Sequence, residues 1–238
     1  MTRIEDLTVR IFADGADLAA MQELYARPYI KGFTTNPTLM RKAGIRDYAA
    51  FARDVLRAIP DRPISFEVFS DDFPEMERQA RVIAGWGPNV YVKIPVSNTT
   101  GAPAYDVISR LSHDGLQINV TAVMTLEQVT AVSDALAGGA ASNISVFAGR
   151  IADTGRDPLP IMSAALRIME RAPRSELIWA SPRELLNLFQ AAGIGCHIIT
   201  VTRDILNKLD IVGKPLDQYS LETVAMFHED AGAAGFAV

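Results

Sequence analysis

One lysine interrupts an apolar run, Val90-Tyr91-Val92-Lys93-Ile94-Pro95-Val96, and it carries the clearest chemical potential in the chain. A strand of that composition is buried, and a lone buried ammonium is costly unless it is paired or neutral. Desolvation lowers a lysine pKa by up to a few units, and the neutral amine attacks a carbonyl carbon to form a Schiff base. The alternatives are a lysine that reaches out of the strand end or one that pairs with Glu67. Glu67 itself breaks a second apolar run, Ile64-Ser65-Phe66-Glu67-Val68-Phe69, and reads as either a general acid/base or the counter-ion of Lys93. Asp14 ends a third run, Ile11-Phe12-Ala13-Asp14-Gly15. It is a candidate proton acceptor or a helix N-cap, and Asp17 is able to supply the cap instead.

Further polar residues fall at or near the ends of apolar runs. Asn36 follows the second. Asn119 and Thr121 share one face of a strand by the period of two, and so do Ser145 and Phe147. Arg150 and Arg183 follow neighbouring runs and are able to converge on one anion, because guanidinium forks match phosphate oxygens; otherwise they are two solvated arginines. Ser181 would add a hydroxyl and helix-terminal N–H groups, with Pro182 as a first helical residue. His113, His197 and His228 build no site, and Cys196 and His197 are adjacent on a strand and point to opposite faces. No spacing matches a metal-binding or nucleotide-binding motif, so no metal and no cofactor is expected.

The elements that must hold these residues follow from periodicity. Short β-branched or aromatic runs at residues 9–13, 30–34, 64–69, 90–94, 117–121, 143–147, 176–180 and 197–201 alternate with amphipathic stretches, at spacings of 21 to 34 residues. That is the length of a strand, a helix and two loops, which predicts parallel strands joined by helical crossovers. Eight such units predict an α/β protein built as a single (β/α)8 barrel, the TIM-barrel architecture, with the polar residues at the C-terminal strand ends. A doubly wound open sheet would show an early glycine-rich phosphate loop, and none is present. The pattern predicts helices over residues 47–59 and 125–136, the second opened by a Thr125/Gln128 capping box. An extra C-terminal helix, residues 216–231, is left beyond the eighth strand and has to pack somewhere; a neighbouring subunit is one such place.

The chain has 238 residues, 49% apolar and 21% charged, which is ordinary globular composition and large enough for a substantial core. With 23 basic and 28 acidic residues it is mildly acidic, which argues against nucleic acid as a partner. One cysteine excludes an internal disulfide and fits a reducing compartment. There is no signal-peptide pattern and no apolar run long enough to span a membrane, so a cytoplasmic protein is expected.

Taken together, the motifs resemble the transaldolase family. Gly32-Phe33-Thr34-Thr35-Asn36-Pro37-Thr38 is similar to its G-[VIF]-T-T-N-P-[ST] signature, and Tyr91-Val92-Lys93-Ile94-Pro95 to the strand bearing its Schiff-base lysine. Asn119-Val120-Thr121, Ser145-Val146-Phe147-Ala148-Gly149-Arg150 and Ala180-Ser181-Pro182-Arg183 match further segments in order. The resemblance implies a class I aldol mechanism in carbohydrate metabolism (the pentose phosphate pathway). Lys93 would attack the ketose carbonyl, Asp14 would take the C4 hydroxyl proton, and Glu67 would move protons through a water held by Thr121. Asn36, Asn119 and Ser145 would hold the dihydroxyacetone unit, with Thr35 and Phe147 in the same binding set. Arg150, Ser181 and Arg183 would hold the distal phosphate.

Two activities sit close together in this resemblance. A transaldolase passes a dihydroxyacetone unit from fructose 6-phosphate or sedoheptulose 7-phosphate to an aldose phosphate; a fructose-6-phosphate aldolase releases it free. The aldolases resemble a variant with Gln for Glu67 and Tyr for Phe147, so Glu67, Phe147, Asn119 and Ser145 point to transfer. Pro182 stands where the family often has an aromatic, and a sulfonated ketose (sulfofructose) is an alternative substrate. The length resembles the small subgroup, whose terminal helix reaches a neighbour in a ring, which implies a homo-oligomer, a pentamer or decamer. The alternative of another class is a barrel that binds a sugar phosphate without turnover.

Overall fold

Asp47, Asp72 and Thr125 are each followed by an amphipathic stretch, and each caps a helix by accepting the backbone N–H three residues on. Such caps are worth about 1 kcal/mol apiece. Between helices of this kind run short strands rich in valine and isoleucine. The computed structural model describes residues 4 and 7–236. Its strands are β1 (Arg10–Asp14), β2 (Ile30–Thr34), β3 (Ile64–Glu67), β4 (Val90–Pro95), β5 (Ile118–Val123), β6 (Ser142–Val146), β7 (Ser175–Trp179) and β8 (Ile198–Thr202). Each pairs in parallel with its chain neighbour, and β8 closes on β1, giving a closed eight-stranded barrel.

The crossovers are α1 (Leu18–Tyr25), α2 (Pro37–Lys42), α3 (Tyr48–Ala58), α4 (Phe73–Ala84), α5 (Tyr105–His113), α6 (Leu126–Leu136), α7 (Ala148–Asp153), α8 (Leu159–Met169) and α9 (Leu186–Gly193), and a short helix, α10 (Arg203–Leu206), comes directly after β8. A longer helix, α11 (Leu216–Ala234), follows β8. The (β/α)8 barrel with an additional C-terminal helix is therefore the architecture, as the strand spacing predicts. The Thr125/Gln128 capping box is also present.

Alternate strand residues divide the core in two. Ile11, Phe33, Phe66, Val92, Ile94, Val120, Ile144 and Val201 form the layer between barrel and helices, all at most 2% exposed. A smaller cluster of Phe12, Ile178, Ala180 and Ile198, with Phe147 against it, fills the barrel beneath the polar mouth. Gly32 makes room for it: a Cβ there would lie 2.6 Å from the Phe12 ring.

Two local expectations are corrected. The third strand ends at Glu67 rather than Phe69, because the N–H groups of Phe69 and Ser70 turn aside to Gln79 Oε1 at 2.8 and 3.1 Å. Ser181 and Pro182 do not open a helix. Ser181 has a positive φ of 61°, and α9 starts at Leu186, its entry closed by Asn187 Oδ1 accepting from the Arg183 and Glu184 N–H groups. An N-cap residue is normally extended, so the left-handed turn at Ser181 rules out that role.

The helix α11 buries none of its residues; Leu216, Leu221, Val224 and Phe227 all stand exposed. Among the described residues no helix is long and apolar enough to cross a membrane.

Candidate active site

The barrel's strand register brings the chemistry to one end. Glu67 on β3 stands opposite Lys93 on β4, and Lys93 opposite Asn119 on β5; Asp14 on β1 stands between Thr34 on β2 and Thr202 on β8. All of these except Asn119 open on a cavity of about 600 Å³ at the C-terminal mouth. Asp14, Asn36, Glu67, Lys93, Thr121, Ser145, Phe147, Arg150, Ser181 and Arg183 all line it.

Lys93 is 5% exposed. Its Nζ donates to the Thr35 carbonyl at 2.9 Å and lies 3.3 Å from Glu67 Oε2. The pairing that the sequence left as an alternative to a free amine is thus present, and it sits inside the cavity rather than on a solvated rim. A buried lysine held by one carbonyl and one carboxylate has a proton acceptor within reach. The carboxylate's own strand end is anchored from outside: Tyr48 Oη donates to the Glu67 carbonyl at 3.0 Å, and its ring packs against Phe66, Phe69 and Trp86.

Asp14 does not cap α1; Asp17 does, accepting from Ala20 N at 2.7 Å. Asp14 instead accepts the Thr34 hydroxyl at 2.7 Å. Burial pushes its pKa above the usual carboxylate value, and the charge of Lys93 and the Thr34 hydrogen bond pull it back only part of the way.

Asn36 carries two duties. Its Oδ1 caps α2 by accepting Leu39 N at 2.9 Å, which leaves the amide Nδ2 hydrogens for the cavity. Asn119 and Thr35 do not reach the cavity wall. Asn119 is fully buried, donating to Ser65 Oγ at 2.9 Å and accepting from Ser145 Oγ at 2.7 Å, so it holds Ser145 from below. Thr35 turns its hydroxyl to the Ser65 carbonyl at 2.8 Å and offers Lys93 its own carbonyl. Thr121 precedes a bulge in β5, where Ala122 takes a φ of 62°. Bulges at barrel rims re-aim side chains; Thr121 lines the cavity, and its buried Oγ1 has no hydrogen-bond partner among the described residues.

The opposite wall is cationic. The Arg150 guanidinium stacks over the Phe147 ring, 5.5 Å from its centroid. Arg183 is held by Asp153: Nε donates to Oδ1 at 2.8 Å and Nη2 to Oδ2. Its Nη1 donates to the Ser181 hydroxyl and carbonyl at 2.9 and 3.1 Å. This fork braces the left-handed turn at Ser181, and the guanidinium holds the Asp153 carboxyl below the usual range. Arg150 and Arg183 therefore share one wall, but most of Arg183's donors are engaged. Gly149 allows the close approach, since the Ser181 carbonyl oxygen lies 1.5 Å from where a Cβ would be.

Sequence reasoning missed Lys42, Thr34, Thr200 and Thr202 on the cavity wall, and Asp153 behind it. The threonines were discoverable from the period of two, since Thr34 and Thr200 fall on the inward face of their strands. Asp153 gave no comparable signal.

Comparison with known proteins identifies the family of the chain. The family model for transaldolase/fructose-6-phosphate aldolase matches residues 11–237. A probable transaldolase of Dehalococcoides mccartyi is 36% identical over 202 residues, covering 84% of this chain and 90% of its own length. A probable transaldolase of a Thermoanaerobacter species is 35% identical over 231 residues, covering 97% of this chain and all of its own. Among solved structures, a 3-keto-L-gulonate-6-phosphate decarboxylase from Vibrio cholerae superposes with a TM-score of 0.56 at 13% identity, over 83% of this chain and 88% of that one. A putative phosphonomutase from Burkholderia cenocepacia gives 0.55 at 14% identity over 96% of both chains. At such identities the two structures speak for the barrel fold alone. The match along nearly the whole chain, together with relatives above 30% identity, means that the chain belongs to the transaldolase/fructose-6-phosphate aldolase family.

Proposed function

We propose that this protein is a transaldolase that carries a dihydroxyacetone unit from a ketose phosphate to an aldose phosphate as a Schiff base on Lys93. The observation that carries the reading is the buried Lys93 amine, 3.3 Å from the Glu67 carboxylate, in a cavity shared with Asp14. Fructose 6-phosphate and sedoheptulose 7-phosphate are the donors in this reading.

The chemistry follows from those groups. Glu67 takes a proton from the Lys93 ammonium, and the free amine adds to the ketose C2 carbonyl. The C2 oxygen leaves as water, protonated through a water held at Thr121, and a protonated imine remains. Asp14 takes the C4 hydroxyl proton, the C3–C4 bond breaks, and C4 departs as an aldehyde. The bond's electron pair passes into the iminium, which becomes an enamine. An acceptor aldehyde then adds at C3 while Asp14 returns the proton, and hydrolysis frees the new ketose. Asn36 Nδ2 and Ser145 Oγ orient the three-carbon unit, with Asn119 holding Ser145 and the Thr35 carbonyl holding Lys93 from behind; Phe147 packs against it. Arg150, Ser181 and Arg183 receive the distal anion. Holding the reacting atoms in line and placing charge where it develops supplies the rate enhancement.

A sulfonated ketose is the second reading. Asp153 offsets one guanidinium charge at the anion end, which suits a singly charged sulfonate. Release of free dihydroxyacetone, the aldolase reaction, differs in that C3 of the enamine takes a proton in place of the acceptor aldehyde before water hydrolyses the iminium, and the Glu67 carboxylate favours transfer. We also infer a cytoplasmic homo-oligomer in which α11, with its exposed apolar residues, packs on a neighbouring subunit.

The test is intact-protein mass after incubation with fructose 6-phosphate and borohydride, followed by peptide mapping. A reduced three-carbon adduct on Lys93 is expected, and Lys93→Met abolishes both adduct and turnover in a folded protein. Labelling by sulfofructose alone would keep the mechanism and change the substrate. Labelling by no ketose would leave a binding protein without turnover.

A further inference from the structure

Asp14 sits between two strands that turn hydroxyls toward it. Thr34 on β2 donates to Asp14 Oδ1 at 2.7 Å, and the Thr34 oxygen is itself hydrogen-bonded to Thr200 Oγ1 on β8. Both threonines are buried, at 2% and 6% exposure, and both border the cavity. Proton counting fixes the direction. An ionised carboxylate only accepts, and a hydroxyl has one hydrogen. Thr34 must give its hydrogen to Asp14, so Thr200 must give its own to Thr34.

We infer that Thr34 and Thr200 are positioning residues for Asp14: a one-way hydroxyl chain engages Oδ1, stabilises the carboxylate form and leaves Oδ2 as the oxygen that meets the substrate proton. The inference rests on the reading of Asp14 as the proton acceptor. A chain of aligned hydrogen bonds polarises along its length, so the outer threonine strengthens the inner bond. Serine would serve as well as threonine at both places; valine, of nearly equal shape, would break the chain while keeping the packing.

The expected sign follows from the environment of Asp14. Burial raises its pKa, and both the Lys93 charge and the Thr34 donor lower it. The charged groups that face the same cavity are Lys93 and Glu67 from β4 and β3, Lys42 from α2, Arg150 from α7 and Arg183 before α9. The flanking strands β2 and β8 contribute only hydroxyls, from Thr34, Thr200 and Thr202. All of those charges remain when Thr34 is changed, so loss of its donor moves the Asp14 pKa upward. A hydrogen bond to a charged group corresponds to a shift of about one to two pH units.

The test is a 13C titration of the Asp14 carboxyl in the free protein, assigned by its absence in Asp14→Asn. It is paired with the acid limb of kcat/KM for fructose 6-phosphate and erythrose 4-phosphate. Thr34→Val is expected to move both upward by about one to two units. Thr200→Val moves them in the same direction by less, and Thr34→Ser and Thr200→Ser restore both. A Thr34→Val protein whose Asp14 titrates as in the wild type overturns the inference, as does a uniform loss of rate at every pH with the limb unmoved. An Asp14 titration that shifts as expected in a protein that neither turns over nor labels Lys93 supports the positioning chain and overturns the assigned reaction instead.

Discussion

Gly149→Ala is the substitution whose consequence is most directly worked from the geometry. The added Cβ would fall 1.5 Å from the Ser181 carbonyl oxygen and 2.7 Å from its carbonyl carbon. A carbon needs about 3.3 Å from a carbonyl oxygen, so one backbone must retreat by nearly 2 Å. Neither side gives easily. Gly149 lies in the first turn of α7, and Ser181 is held in its left-handed turn by two hydrogen bonds from Arg183. The segment that moves carries Ser181 and Arg183, the groups assigned to the substrate's anion. A 1 Å misplacement can cost about 10²-fold in rate, so kcat/KM for fructose 6-phosphate should fall by at least about 10²-fold, or ~2.7 kcal/mol, chiefly through KM. Lys93, Glu67 and Asp14 stand on β4, β3 and β1, away from the clash. Borohydride trapping with free dihydroxyacetone, which has no distal anion, should therefore label Lys93 nearly as in the wild type. Circular dichroism establishes that the variant is folded. An unchanged KM for the phosphorylated donor would refute the reasoning, and so would an equal loss in the dihydroxyacetone reaction.

The remaining predictions concern the fate of the enamine and the uncovered helix. Glu67→Gln should raise the ratio of free dihydroxyacetone released to dihydroxyacetone transferred, measured with and without erythrose 4-phosphate; the same ratio in both proteins would mean that Glu67 does not govern the partition. Light scattering should find an oligomer, and Phe227→Asp on α11 should shift it toward smaller species, because a charge at an apolar interface is costly. A fully active wild-type monomer would dispose of the assembly.

Much of the site was legible because its residues contradict their surroundings. Lys93 and Glu67 each break a run of buried apolar residues, and a period-two strand tells which face they share. Asp14 was legible as a candidate but its role was open; only the structure assigns the α1 cap to Asp17 and leaves Asp14 to the cavity. Arg150 and Arg183 were readable as a candidate pair for one anion or as two solvated arginines, and the structure sets both on the cavity wall. That Arg183 divides its donors between Asp153 and Ser181 was not, since Asp153 is 30 residues away and meets it only in the fold. The same holds for Thr34 and Thr200, separated by 166 residues and joined by barrel closure. Ser181-Pro182 failed as a helix start for a reason outside its own sequence. The Arg183 fork and Asn187 hold a left-handed turn that local propensity would not choose.

The alternation of strand and helix and the eightfold count are legible in the chain alone. Those depend on hydrophobic period, caps and chain-length spacing, all local properties. Tertiary structure alone decided which hydroxyls meet Asp14, which carboxylate holds Arg183, and that Asn119 and Thr35 stand behind the cavity wall while Asn36 and Ser145 face it. Hydrogen bonds between residues distant in the chain depend on strand register and the closing of β8 on β1, and neither is written in any one segment.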